Sequence, residues 1–176
     1  MNPRSPAPAL RDARPSDFED ILRLNAAEVR HTSPMDAARL KLLHGLSSYH
    51  RVAVDAIGVA AFLLAMREAA AYENENYAWF SARYERFVYI DRIVVSRDLA
   101  GQGIGSALYS DLFEYARDAG IEIVACEYNL EPPNPVSKAF HDRWGFTEVG
   151  SQRLADGSKR VSMQVVRPSR LRRLNG

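Results

Sequence analysis

The chain has 176 residues, enough for about one domain at ~150 residues each. Its 23 Lys+Arg and 22 Asp+Glu give a net charge of +1, but Lys159, Arg160, Arg167, Arg170, Arg172 and Arg173 all follow the last acidic residue, so the first 158 residues hold 17 basic against 22 acidic. A single cysteine, Cys126, excludes an intrachain disulfide framework and a multi-cysteine zinc site, and the longest apolar run, Ile57–Met66, is too short for the ~18 residues of a membrane span.

The 47% hydrophobic and 26% charged content is that of an ordinary globular domain. The start, MNPRSPAPALR, has no apolar core of a secretory signal, so a cytoplasmic location is expected. The expected organisation is a loose segment at 1–8, one domain over 9–166 and a basic tail at 167–176.

A short strand is expected at Leu10–Ala13. Ser16 and Glu19 read as a capping box for a helix reaching about Arg30, with Phe18, Ile21, Leu22 and Leu24 on its apolar face. A second helix follows over about Asp36–Leu46. Tyr49–Val54 and the continuous apolar run Val59–Met66 read as strands, the latter covered on both faces. Arg67–Glu85 mixes polar and aromatic residues and allows a short helix without marking its ends. Phe87–Val95 is the strongest strand, dense in β-branched and aromatic residues. An amphipathic helix begins at Ile104, with Gly120 as its stop. A strand at Ile121–Leu130 leads to the break Pro132-Pro133-Asn134-Pro135 and a short helix to about Trp144. Phe146–Leu154 and Arg160–Val166 form a closing hairpin. The strand–loop–helix–strand unit at the centre predicts a right-handed crossover between parallel neighbours.

Gly101, Gly103 and Gly105 lie between the strongest strand and its helix. Glycines allow a sharp turn, and the first turn of a helix presents unpaired N–H groups at its positive end, so an anion such as a phosphate is favoured there. A nucleotide P-loop is excluded because no Lys follows the glycines. A dinucleotide fingerprint is weakened because Ser106 or Leu108 stands where its third glycine belongs, although Glu122 lies about twenty residues on. A tight turn that binds nothing is the competing reading.

The stretch Val95-Ser96-Arg97-Asp98-Leu99-Ala100-Gly101-Gln102-Gly103-Ile104-Gly105-Ser106-Ala107-Leu108 resembles the acetyl-CoA loop of the GNAT superfamily of N-acetyltransferases. Asn134-x-x-Ser137-x-x-Phe140-His141-x-x-x-Gly145-Phe146 resembles that family's second motif, in the family's order and with its intervening strand. The resemblance covers about Leu10 to Val166. It implies an α/β (α+β) fold: a mixed, mostly antiparallel sheet with a parallel βαβ core for acetyl-CoA and helices on both faces. Two residues depart from the family pattern. Ala100 stands where Arg or Gln is usual, with Gln102 or Arg97 as substitutes, and His141 stands where Tyr is usual.

The resemblance implies acetyl transfer from acetyl-CoA, as co-substrate and without a metal, to a primary amine of a small molecule, amino acid or peptide, by direct attack in a ternary complex. Gly101, Gln102, Gly103, Ile104, Gly105, Ser106 and Ala107 would hold the pyrophosphate. Ile93, Val94 and Val95 would pair with the pantetheine arm, with further contacts from Asn134, Ser137, Lys138, Phe140 and His141. Asn134 is equally a helix cap, and Phe140 reads first as a core residue. Asp91 and Glu127 are the candidate bases, because a carboxylate inside a β-branched strand is costly unless paired, hydrogen-bonded or wet. A structural pair with Arg92 is the competing reading. His141 is the leading acid for the departing thiolate and Tyr128 the alternative, so His141→Phe would slow transfer more than it weakens acetyl-CoA binding. Cys126 reads as an inert core thiol.

Asn25, Glu28, His31, Ser33 and the aromatic 72–84 stretch with Glu73 and Glu75 are the segments expected on the acceptor side, with ordinary packing and a solvated surface as the favoured reading. No membrane is expected as a partner, nucleic acid is not favoured, and a homodimer is compatible with the family. The alternative function is a non-catalytic acyl-CoA-binding or interaction module with a basic tail.

Overall fold

The computed structural model describes residues 8–29 and 32–168. The expected loose start up to residue 7, His31 and the tail from residue 169 lie outside the described residues. Seven strands form one mixed sheet: β1 (Ala9–Asp12), β2 (Tyr49–Val54), β3 (Val59–Arg67), β4 (Phe87–Val95), β5 (Ile123–Glu131), β6 (Thr147–Arg153) and β7 (Arg160–Val166). Their spatial order is β1-β2-β3-β4-β5-β7-β6. The helices are α1 (Phe18–Ala27), α2 (Ala37–Leu46), α3 (Glu75–Ser81), α4 (Ile104–Asp118) and α5 (Pro135–Arg143). By contacts the chain divides into two compact units. Among the described residues one holds 8–65 with Asp91–Leu112, and the other Met66–Ile90 with 113–168. Strands β3 and β4 and helix α4 contribute residues to both.

In the first unit β1 runs antiparallel to β2, and β2 antiparallel to β3. The continuous apolar run predicted a strand covered on both faces, and Val59–Met66 is buried throughout. Ile21, Leu24, Leu40, Val52, Phe62 and Val94 form one apolar cluster. The N-terminus of α1 departs from expectation. Ser16 does not cap it. Pro15–Asp17 forms a 3-10 turn in which the Asp17 carboxylate accepts the Arg14 N–H at 2.8 Å and binds Arg11 at 2.7 Å. Asp17 therefore makes the back-reaching bond that the capping box expects of Glu19, two residues earlier in the chain. Asp36 caps α2 through the Arg39 N–H, at 2.7 Å.

His50 of β2 is buried among Phe62 and His44, its Nδ1 2.9 Å from the Nδ1 of His44. One ring must donate and the other accept. Burial first, then the neighbouring His44, pushes His50 down to about 4 from its ordinary 6.5. The unfolded chain then binds more protons than the folded one between those values. Stability is full above about pH 6.5 and falls as the pH drops toward 4, by roughly 3 kcal/mol from this one group. Urea unfolding of a His50→Leu variant is expected to show a shallower loss of stability across that window than the parent. An equal slope would contradict the assignment.

In the second unit β4 and β5 pair in parallel, Phe87–Tyr89 against Ile123–Ala125. β5 pairs antiparallel with β7, and β7 with β6. Phe113 stacks on Trp144 at 5.2 Å and meets Phe146 edge-on. Helix α4 stops at Gly120, whose φ of 61° suits glycine. The Ile121 N–H reaches back to the Ala116 carbonyl at 2.8 Å and the Gly120 N–H to that of Arg117 at 3.1 Å. That use of Ile121 is why β5 begins at Ile123, two residues later than the sequence pattern predicts. Cys126 is buried, and burial raises its thiol well above the ordinary range, as befits an unreactive core residue.

Candidate active site

The turn from β4 into α4 is built on glycine. Gly101 and Gly103 have φ of 78° and 83°, a region that other residues enter only with strain. No atom lies within 4 Å of where a Cβ would stand on either. Residues 101–103 are exposed. The helical hydrogen-bond ladder opens with the Ala107 N–H on the Gly103 carbonyl, so the N–H groups of Ile104, Gly105 and Ser106 precede it. An open, donor-rich turn at the positive end of a 15-residue helix fits a pyrophosphate. The two side chains considered as substitutes at the Ala100 position are both turned to other partners. Arg97 binds Glu28 at 2.6 Å and the Ala27 carbonyl at 2.8 Å, and the Gln102 amide reaches the Asp98 carbonyl at 3.4 Å.

Asp91 sits on β4 in the first unit. Its carboxylate is bound by the adjacent Arg92 at 2.6 Å, and both side chains are nearly sealed from solvent, at 3% and 4% exposure. Arg92 also donates to Asn25 Oδ1 at 2.9 Å, to Ser33 Oγ at 3.0 Å and to the Ser33 carbonyl at 3.3 Å. Of the residues expected on the acceptor side, Asn25 and Ser33 thus serve to hold Arg92. Glu28 holds Arg97, and Glu75 accepts the Ala155 N–H at 3.0 Å.

Glu127 sits on β5 in the second unit and is half-buried. Its Oε1 accepts from the Tyr89 hydroxyl at 3.0 Å and from Asn76 Nδ2 at 3.1 Å. The Asn76 carbonyl in turn accepts from Gln152 Nε2 at 3.0 Å. Asn129, two residues on and on the same face of β5, is 7% exposed, and its Nδ2 has no hydrogen-bond partner among the described residues. A buried donor in that state is costly unless a ligand satisfies it, which fits a strand that receives an amide-bearing substrate.

The next residue, Tyr128, faces the opposite side of β5. Its ring stacks on His141 at 5.9 Å, and its oxygen accepts from Gln164 Nε2 at 3.4 Å. His141 is 4% exposed. Its Nδ1 lies 2.7 Å from the Ser137 carbonyl, an acceptor only, so Nδ1 carries the hydrogen. Burial is the main cause that pushes His141 below its ordinary value, which keeps the ring neutral at pH 7. Asn134 caps α5 through the Ser137 N–H at 3.1 Å. Lys138 is exposed and paired with Asp142 at 2.7 Å, and Phe140 is half-buried at the rim rather than in the core. Sequence reasoning missed Asn76, Tyr89 and Gln152, which come from three other elements. For Asn129 the local signal is strand alternation, which sets it on the same face as Glu127.

Among the described residues no group of three or more His, Cys, Asp or Glu side chains is placed to hold a metal ion, and no helix is long and apolar enough to cross a membrane.

The sequence matches the model of the Acetyltransferase (GNAT) family over residues 17–146. Solved structures share the fold. Naa20 from Chaetomium thermophilum, solved with a bisubstrate analogue, superposes with a TM-score of 0.74 at 16% identity, covering 92% of this chain and 87% of that one. The ribosomal-protein-S18-alanine N-acetyltransferase from Escherichia coli gives 0.69 at 16% identity, covering 96% and 98%. Ard1 from Thermoplasma volcanium gives 0.72 at 17%, covering 90% and 96%. No curated protein matches the sequence. The family match over this fold and its glycine turn defines an acyltransferase. The chain belongs to the GNAT acetyltransferase family.

Proposed function

We propose that this protein transfers an acetyl group from acetyl-CoA to a primary amine by direct attack within a ternary complex. The observation that carries the reading is Glu127, a half-buried carboxylate oriented by two neutral donors, Tyr89 and Asn76. Asp91 is held instead by a guanidinium, and we assign it a structural role. Acetyl-CoA supplies the thioester, and the reaction forms an amide and releases the CoA thiol.

Within the turn Gly101–Ala107 the N–H groups of Ile104, Gly105 and Ser106 are offered to the pyrophosphate, whereas those of Gln102 and Ala107, expected to join them, are taken by the Leu99 and Gly103 carbonyls. Ile93, Val94 and Val95 offer backbone groups to the pantetheine arm, and one N–H there stabilises negative charge on the acetyl oxygen. The Asn129 amide supplies a further donor. Asn134, Ser137, Lys138 and Phe140 complete the contacts around α5. Glu127 accepts a proton from the ammonium, directly or through water. An alkyl ammonium has an ordinary pKa near ~10.4, so at pH 7 only a small fraction of it is nucleophilic unaided.

The departing thiolate takes its proton from the other face of β5. Tyr128 is the better donor there. Gln164 donates to its oxygen, so the phenol's own hydrogen is directed elsewhere. The hydrogen of neutral His141 is committed to the Ser137 carbonyl, which leaves that ring to orient Tyr128 by stacking. Tyr128→Phe is expected to lower kcat about tenfold or more and His141→Phe by less than about threefold, the reverse of the sequence-based expectation. A larger loss in His141→Phe would return the acid role to that residue.

A structural neighbour named as a ribosomal-protein-S18-alanine N-acetyltransferase, and another, the NatC complex, solved with a peptide and CoA, support a peptide N-terminal amine as the acceptor class to try first. The test is release of CoA thiol on mixing the protein with acetyl-CoA and a panel of peptides with free N-termini, amino acids and polyamines. Turnover with at least one amine is expected. CoA binding without turnover on any of them would support a non-catalytic module instead.

A further inference from the structure

We propose that Asn76 is a positioning residue that fixes the carboxylate of Glu127, and that Gln152 sets the orientation of Asn76. The proposal rests on Glu127 acting as the base. Asn76 is 6% exposed and lies on α3, in the segment between β3 and β4 and outside both family motifs. Gln152 Nε2 donates to Asn76 Oδ1 at 3.0 Å, which obliges the other end of the amide, Nδ2, to face Glu127 Oε1 at 3.1 Å. A flipped amide would set oxygen against the carboxylate and NH2 against NH2.

Helix α3 is itself tied to the β6–β7 hairpin at three points, the first being the Asn76–Gln152 bond. The Glu75 carboxylate accepts the Ala155 N–H at 3.0 Å. The third is Gly150 of β6, which lets Trp79 of α3 lie so close that a Cβ there would stand 2.7 Å from the indole. The terminal torsion of a glutamate is soft, with no sharp minimum of its own. Two donors converging on one oxygen, Asn76 and Tyr89, supply the orientation that a base needs before the amine arrives. The hairpin therefore reaches the carboxylate of the base through Gln152 and Asn76, in addition to the backbone pairing of Met163 with Glu127.

The test is steady-state kinetics with acetyl-CoA and an amine found active in the thiol-release panel. Asn76→Asp keeps the shape and still accepts from Gln152, but sets a carboxylate against Glu127. It is expected to lower kcat about tenfold or more, with the KM for acetyl-CoA within about twofold. The same change in a Glu127→Gln background is expected to cost less than about twofold, because nothing remains to position. Gln152→Leu, which frees the amide without touching the carboxylate, is expected to lower kcat about threefold and to lose that effect in the same background. It keeps the proposal testable if Asn76→Asp does not fold.

A readout independent of turnover is the side-chain amide signal of Asn76 in a 15N–1H spectrum, which is expected to shift on Glu127→Gln. Parent-like kcat in both Asn76→Asp and Gln152→Leu, or losses that add fully to that of Glu127→Gln, would overturn the positioning role alone. Parent-like kcat in Glu127→Gln itself would overturn the base assignment and the positioning role together.

Discussion

Glu127→Gln is expected to lower kcat for acetyl transfer by about 10²- to 10⁴-fold, the range that a positioned general base contributes, while acetyl-CoA affinity stays near that of the parent. The substitution is a clean one. Glutamine keeps the volume of the side chain, and its carbonyl still accepts from the Tyr89 hydroxyl and the Asn76 amide. What it loses is the ability to take up a proton. A purely structural Glu127 would therefore tolerate the change. The size of the loss also reports on the acceptor. A peptide α-amine, with an ordinary pKa of ~7.7–8.0, is partly neutral at pH 7, whereas a side-chain amine near ~10.4 is not. Raising the assay from pH 7 to pH 9 should speed the variant by about sevenfold and then level off with an α-amine acceptor, but by about 100-fold, still rising at pH 9, with a lysine-like one. Parent-like turnover in Glu127→Gln at pH 7 would remove the residue from the chemistry.

Arg92→Met is expected to destabilise the fold by about 3–5 kcal/mol, the usual cost of stripping the partner from a buried charge. Both side chains of the Asp91–Arg92 pair are almost fully enclosed, so neither water nor salt takes over when one is removed. The loss reaches further than Asp91, because Asn25 Oδ1 and both Ser33 oxygens also accept from this guanidinium. Arg92→Lys is expected to recover only part of the stability, since one ammonium cannot reproduce four directed bonds in a planar fork. Replacing both charges, Asp91→Leu with Arg92→Met, should cost less than Arg92→Met alone. Urea midpoints for the three variants measure the ordering directly. A double variant less stable than Arg92→Met would contradict the account of the pair.

Most elements were legible because their signals are local. The alternation and β-branching of Phe87–Val95 and the glycine pattern before Ile104 need no partner to be read, and both elements begin where expected. Helix α3 was not placed, because seven residues make barely two turns and its apolar side chains, Tyr77 and Phe80, pack into an aromatic cluster that the local pattern does not announce. The capping box expected at Ser16 and Glu19 forms at Arg14 and Asp17 instead, because a 3-10 turn starts at Pro15, ahead of the helix. The two candidate bases separated for a similar reason. Asp91 has its partner next to it in sequence, so the competing reading was visible at once. Glu127 is held by residues 38 and 51 positions away, and only folding brings them together. His50 and His44 are six residues apart, yet their contact depends on how α2 lies against β2, which no periodicity encodes.

The central claim is that this chain moves the acetyl group itself from acetyl-CoA to an amine. The most direct measurement is product analysis by mass spectrometry after incubating the protein with 13C-acetyl-CoA and an amine acceptor from the panel, with CoA thiol quantified in the same sample. The account predicts labelled amide and free thiol in equal amounts, with no labelled protein intermediate and with the amide lost in Glu127→Gln. Thiol released without labelled amide, or label accumulating on the protein before the amine is added, would contradict it.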